Sequence, residues 1–367
     1  MSDALHRTRV HRAAAAVLCT AALLPSACTG GGPTGGIDPA ADAAARPVSA
    51  QAGAILFTRD LATGGQLLAS RGPTGQIERI RRLAPNERVS SSGGLLLVTT
   101  DRRPELGQGH FEADPHVTIH DGRGRPILDL GRAVAADVEA GGRRVVYATP
   151  SAVHTCAPDE EGCAGVSATI SVRELGGEHD PVELGSWDDV LGVRWGEKDA
   201  VLLERSRENL LVRMGAAAVQ GPPGKILQTI PRSGQVLTAQ RGHRVLTLAH
   251  ADGRVLWETD YMPARADGRV SPDGSRLIVQ ETRARDGGDA ETRLSIVTPG
   301  RAPHHLEEGR ADGELHWTPD GSVYTYRRTS PRGGFELVAC RASDDRCHPV
   351  WAWREPIQII HLMGRGT

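Results

Sequence analysis

The chain has 367 residues, 39% hydrophobic, 24% charged and 4% aromatic, with 44 Gly, 23 Pro and six Cys, which excludes a disordered, collagen-like or polytopic membrane protein. A formal charge of −2 leaves no large basic excess to neutralise phosphates, which argues against a role centred on nucleic acid or anionic lipid headgroups. The length admits one large domain or two ordinary ones.

Residues 1–12 carry Arg7, Arg9 and Arg12 against Asp3, and an uncharged run from Ala13 to Leu24 follows, ending at Pro25-Ser26-Ala27-Cys28. A basic start, an apolar middle and a small-residue end are the three parts of a secretory signal, here residues 1–27. A helix of this run would reach only about 18 Å, short of a hydrocarbon core of ~30 Å, so it is not a permanent membrane span. The segment from Leu24 to Gly30 resembles a bacterial lipoprotein box, with Pro25 where such a box usually has Leu. That resemblance implies that Cys28 is diacylated, becomes the mature N-terminus and anchors the chain at the outer face of the cell membrane; ordinary secretion with an unmodified Cys28 is the alternative. Loss of Arg7, Arg9, Arg12 and Asp3 with the signal leaves a mature charge of −4, still near neutral. Residues 28–50 are rich in Gly, Pro and Ala with little to bury, which reads as a flexible tether.

From residue 51 onward one pattern recurs: a β-branched or aromatic residue, three or four turn residues usually ending in Gly, then a run of strand formers. Its clearest copies are Val270-Ser-Pro-Asp-Gly274-Ser-Arg-Leu-Ile-Val279 and Trp317-Thr-Pro-Asp-Gly321-Ser-Val-Tyr-Thr-Tyr326, with weaker ones starting at Val89, Val138, Trp195 and Ile230. Pro and Asp favour the first turn positions, and Gly supplies the positive φ that closes a tight hairpin. Further hairpins lie between these copies, including Thr169–Leu184 around Gly176-Gly177 and Val245–Thr259 around Asp252-Gly253. Six inner and seven outer hairpins leave one inner pair incomplete. Its members are Ala54–Thr58 near the start and the surplus apolar stretch Ile357–Leu362 at the end, predicted to lie antiparallel.

Four-stranded units repeating every ~40 to 50 residues indicate a β-propeller, whose blades bury both faces only in a closed ring. Residues 51–367 divide into about 45 residues per blade for seven blades and about 53 for six, so an all-β, seven-bladed propeller is expected, with six as the alternative. The V-S-P-D-G-S-R-L-I-V and W-T-P-D-G-S-V-Y segments resemble the repeats of TolB-type, WD40-like propellers. The stretch from Thr29 to Ala50 is too short for the additional α/β domain that TolB carries before its propeller, and propeller lipoproteins of actinobacteria are a nearer likeness in setting.

Cys156 with Cys163, and Cys340 with Cys347, form two pairs of equal spacing, which suits two short-loop disulfides in an exported protein. A metal site would need tighter clusters than the single neighbouring His154 and His348 provide. No G-x-S-x-G, H-E-x-x-H or phosphate-loop motif occurs; Gly221-Pro-Pro-Gly-Lys225 lacks the hydroxyl residue and two N–H donors and reads as a turn. His116, Thr118 and His120 would share one strand face opposite Val117 and Ile119, a metal candidate outweighed by a solvated outer strand. Pro272-Asp273-Gly274, Pro319-Asp320-Gly321 and the Asp286–Asp289 segment read as turns rather than calcium loops, and Asp159-Glu160-Glu161 as surface charge. Trp187, Trp195, Trp257 and Trp317 are expected to pack between blades. No cofactor, metal or catalytic residue is assigned. The expected function is therefore a non-enzymatic binding or sensory scaffold for a protein, peptide or glycan. The rival is a propeller hydrolase, lactonase-like or glycan-cleaving, which requires three or more Asp, Glu or His converging at the channel mouth.

Overall fold

The computed structural model describes residues 54–363 except 62–64, 102–114, 152–165, 178, 198, 241–244, 260–264, 285–289, 309–310, 312 and 356. Within them the structure is all-β, a β-propeller in which five sheets are four-stranded and every strand pairs antiparallel with its neighbours. Cys28, Cys156, Cys163, Asp159 to Glu161 and Asp286 to Asp289 lie outside the described residues.

The recurrent hairpin shows why this sequence folds as it does. In Val270–Leu277 the amide of Gly274 donates to the Ser271 carbonyl at 2.8 Å, and Gly274 takes φ 75°, which an L side chain rarely adopts. Asp273 closes the turn, its carboxylate accepting from the Ser271 hydroxyl at 2.5 Å and the Ser275 amide at 3.0 Å. Partial burial works against this charge, but the bonds from Ser271 and Ser275 outweigh it and hold the carboxyl below its usual range. Thr318, Asp320 and Ser322 repeat the arrangement one sheet later. Both turn motifs are thus built by side-chain-to-backbone bonds, with no cation required.

In chain order the sheets begin with one holding both ends of the described chain: Ile357–Met363, Ala54–Asp60, Gln66–Arg71 and Ile77–Leu83. The second comprises Glu87–Ser92, Leu95–Asp101, Pro115–His120 and Pro126–Arg132. A seven-stranded sheet follows, running from Ala135–Val138 to Val219–Gln220. The remaining three start at Lys225–Ile230, Arg265–Val270 and His316–Trp317. Successive innermost strands touch in a closed circuit, with Ile357–Met363 lying between His316–Trp317 and Glu87–Ser92.

The seven-stranded sheet departs from the expected hairpins. Thr169–Leu184 and the copy starting at Trp195 were expected as separate units, yet Val182–Glu197 is one strand, paired through its first half with Val166–Glu174 and through its second with Ala200–Arg205. The reason is local: other sheets are separated by turn residues such as Pro85 or Pro222-Pro223, whereas Trp187-Asp-Asp-Val-Leu191 has neither Pro nor Gly. The chain stays extended and turns only through bulges and the positive φ of Asp189, 65°. Its two halves fold over one core, in which Trp195 is fully buried among Val146, Ile170, Val193 and Leu203.

Apolar clusters join each sheet to the next. Leu97, Ile119 and Tyr147 form one such layer, Leu237, Leu246 and Leu277 another, and Ile278, Trp317 and Tyr324 a third. Trp187 and Trp257 pack at the margins of these layers, as expected of them. The expected pairing of the chain ends is also present: Leu56 lies opposite His361 and Thr58 opposite Gln358, with one bulge between Leu56 and Phe57. Because the last strand completes the first sheet, deletion of residues 356–367 is expected to abolish cooperative unfolding and produce aggregates; a deletion variant that is monomeric by gel filtration with an unchanged thermal midpoint would contradict this role.

Candidate ligand cleft at the open end of the inner hairpins

Of the residues singled out from sequence, Cys340 and Cys347 are joined by a disulfide. Their loop is held to the preceding hairpin by Asp345, which receives two bonds from the Arg276 guanidinium, at 2.8 and 2.9 Å, and one from the Tyr324 hydroxyl at 3.0 Å. The His116–His120 strand is less solvated than expected: Val117 and Ile119 face inward, and His120 is itself buried. Its Nδ1 lies 2.9 Å from the Gly124 carbonyl and its Nε2 2.9 Å from the Thr118 hydroxyl. Since a carbonyl only accepts, Nδ1 carries the proton and Nε2 is the acceptor in the neutral ring. His116 meets Asp129 at 2.7 Å. Among the described residues no group of three or more His, Cys, Asp and Glu is placed to hold a metal ion. Gly221-Pro-Pro-Gly-Lys225 is a connection, its carbonyls at Pro222 and Gly224 accepting from the Asn209 amide at 2.6 and 2.7 Å.

The inner strands are joined by a buried carboxylate that sequence reasoning missed. Asp137 accepts from the Ser92 hydroxyl at 2.5 Å and from the Trp195 amide at 2.7 Å, while the Trp195 indole donates to the Asp137 carbonyl at 3.1 Å. Three successive inner strands therefore meet at one side chain. Burial pushes the Asp137 carboxyl above its usual range, against the Arg194 charge and the bonds from Ser92, Trp195 and Val138.

Beyond this junction, at the end of the inner hairpins away from their tight turns, three adjoining cavities of about 400, 280 and 660 Å³ follow one another around the mouth. The first and second share Ser90 and Thr99 as walls, and the second and third share Leu191 and Glu204. Arg88 lines the first, Arg194 the second, and Arg207 and Lys225 the third. All four side chains are exposed. Arg205, also in the third cavity, is committed to Glu208 at 3.1 Å. Glu204 sits between Arg194 and Lys225; burial raises its carboxyl above the usual range, although the Ile226 amide donates to it at 3.2 Å and both cations oppose the shift.

A second concave surface, about 530 Å³, lies where the last sheet meets the first. Phe57 and Trp351 stack edge to face at 4.9 Å, Trp351 and Trp353 lie 5.0 Å apart, and Phe335 follows at 6.2 Å. The Arg71 guanidinium covers Trp351 at 5.4 Å. These rings pack against Ile55, Leu337 and Ile357, so their main work is to fill the seam between the chain ends.

No family model matches the chain, and no curated protein is similar to it. Among solved structures it is similar to a prolyl endopeptidase, at 14% identity and TM-score 0.54 over 84% of this chain and 49% of that one. It is also similar to TolB from Acinetobacter baumannii, at 11% identity and TM-score 0.44 over 83% of this chain and 65% of that one. A putative 6-phosphogluconolactonase from Bacteroides fragilis aligns at 11% identity and TM-score 0.49, over 86% of this chain and 99% of that one. The chain thus spans less than two thirds of the length of the first two proteins. At these identities the likeness is one of fold.

The Asp137 junction carries a prediction with a sign. Because its carboxyl is raised above the ordinary 3.8, the folded protein retains a proton that the unfolded chain has released, and stability falls as pH rises through that window. Asp137→Ala leaves the buried Trp195 amide without its acceptor and the Ser92 hydroxyl with only the Val138 carbonyl, and is expected to cost about 3 kcal/mol in denaturant unfolding. It should also flatten the decline in stability as pH rises above the ordinary carboxylate range; an unchanged pH slope would show that this carboxyl does not titrate with folding.

Proposed function

We propose that this chain is a membrane-anchored, extracytoplasmic, seven-bladed β-propeller that binds a protein, peptide or glycan without transforming it. The count of seven follows if the seven-stranded sheet is two blades sharing Val182–Glu197 as the outer strand of one and the inner strand of the next, a reading supported by the core between its halves. Residues 1–27 serve as export signal, Cys28 as the lipid-bearing N-terminus and residues 28–50 as tether, supported by the basic, apolar and small-residue order of that segment.

The observation that carries the binding role is the cleft itself, a run of adjoining cavities walled by side chains from several inner strands and carrying four exposed cations. Concave sites with a few placed polar groups are where ligands are held. The hydrolase reading rests on Glu204, a carboxyl raised by burial at the same mouth, which is the property of a general acid. Hydrolysis of a glycoside normally needs a second, paired carboxyl. Purified mature protein is expected to give no turnover of lactones or chromogenic glycosides above buffer; turnover lost in Glu204→Gln would replace the scaffold with a hydrolase. For the anchor, wild-type protein should partition into the detergent phase with membranes, and Cys28→Ser should be released or left unprocessed, since two acyl chains suffice for stable attachment. Equal partitioning of the two would refute lipidation.

A further inference from the structure

We infer that the mouth cleft is a site for an extended acidic polysaccharide, a glycan bearing carboxylates or phosphates along its length. The inference deepens the binding role proposed above and rests on it. Arg88, Arg194, Arg207 and Lys225 are exposed in three adjoining cavities, and none has a hydrogen bond or ion pair among the described residues. Several arginines outside the cleft are committed at short range: Arg144 to Glu139 at 2.7 Å, Arg276 to Asp345 at 2.8 Å, Arg327 to Glu314 at 2.9 Å and Arg328 to Glu336 at 3.0 Å. A protein of net charge −2 has enough acids to pair these four as well. Their concentration in one concavity, against Glu204 and an already paired Glu208, makes a local positive field that the overall charge conceals.

The placement also selects the form of the anion. The four cations come from three sheets and are spread over three successive cavities, Arg207 and Lys225 sharing the last, so one small anion cannot reach them all, whereas a polymer with spaced charges meets them in turn. Between them the walls carry short hydroxyls and amides, Ser90, Thr99, Gln240 and Gln358, which suit the hydroxyls of a sugar chain. An acidic peptide would be expected to use open apolar pockets as well, whereas the apolar residues behind these walls are buried, as Leu97, Val117 and Val193 are, or half-buried, as Val89, Val134 and Leu191 are.

The test uses mature, full-length protein in detergent and measures binding of four fluorescent probes: polygalacturonate, a polymer of sugar phosphates, neutral dextran and polyglutamate. At least one of the two acidic non-peptide polymers should bind, with affinity falling as salt is raised, and dextran should not. Which of the two binds identifies the carboxylate or the phosphate as the recognised group. The Arg88→Ala/Arg194→Ala double variant should bind about tenfold more weakly with an unchanged thermal midpoint, Arg194→Lys should keep most of the affinity, and Arg301→Ala, in a turn at the opposite end, should match the wild type. Equal binding by wild type and double variant, binding of dextran, equal binding of polyglutamate, or no binding of either acidic polymer overturns the inference. Shortening of a bound polymer would instead sink the non-enzymatic reading and leave the anionic class standing.

Discussion

A carboxyl group buried between three strands is the constraint on which the centre of this molecule depends. Inner strands such as Ala135–Val138 are short, and their edges toward the axis have no further strand to pair with. Asp137 compensates by gathering a hydroxyl from one neighbour and a backbone amide from the next, converting side-by-side packing into directional bonds. The same solution recurs with amide and indole groups around the circuit. Gln228 donates to the Val270 carbonyl at 3.0 Å and accepts from its amide at 2.8 Å, the Trp317 indole reaches the Arg269 carbonyl at 3.0 Å, and Gln280 accepts from the Gly313 amide at 2.6 Å. Apolar layers hold the sheets face to face without fixing how far one slides along the next; these polar bonds fix it.

The seam between the chain ends uses a different device. Two of the six Trp and two of the three Phe meet there, Phe57 from one end of the chain and Phe335, Trp351 and Trp353 from the last complete sheet. Sheets that diverge from a common axis leave wedge-shaped gaps toward the rim, and large flat rings fill them where aliphatic side chains would leave voids. Arg59 and Glu355 close the upper edge of the same gap at 3.2 Å, although both are well exposed and add little to its strength.

Much of this architecture was legible in the sequence because turn chemistry is local. Asp273, Gly274, Asp320 and Gly321 make their decisive bonds within a few residues, so the hairpins and their order could be read directly, as could the surplus strand at Ile357. The merged strand Val182–Glu197 was not legible as such, since its continuity follows from turn residues that are missing. The cleft was hidden for a different reason: Arg88, Arg194 and Lys225 are far apart in the chain and are brought together only by the circuit. One signal was present and unused. The residue just before the leading position of each repeat is Arg88, Asp137, Arg194, Thr229, Arg269 or His316, polar every time although it lies in an inner strand. Polarity maintained at one place in a repeat marks the surface where the repeats converge.

The uninterrupted strand Val182–Glu197 has a mechanical consequence. The sheets on either side are joined to it by short connections outside the ladders, Ala133-Val134 and Gly221–Gly224, so the circuit can widen or narrow at those joints. Here the joint is backbone held by ladder hydrogen bonds on both halves, with only the bend at Asp189 to yield. The two halves of that sheet therefore move as one stiff sector, and any breathing of the mouth is taken up by the remaining joints. Arg194 rides on the stiff sector, whereas Arg88 and Lys225 sit on the sheets to either side of it. The spacing of the cations is thus adjustable at both flanks of a fixed middle.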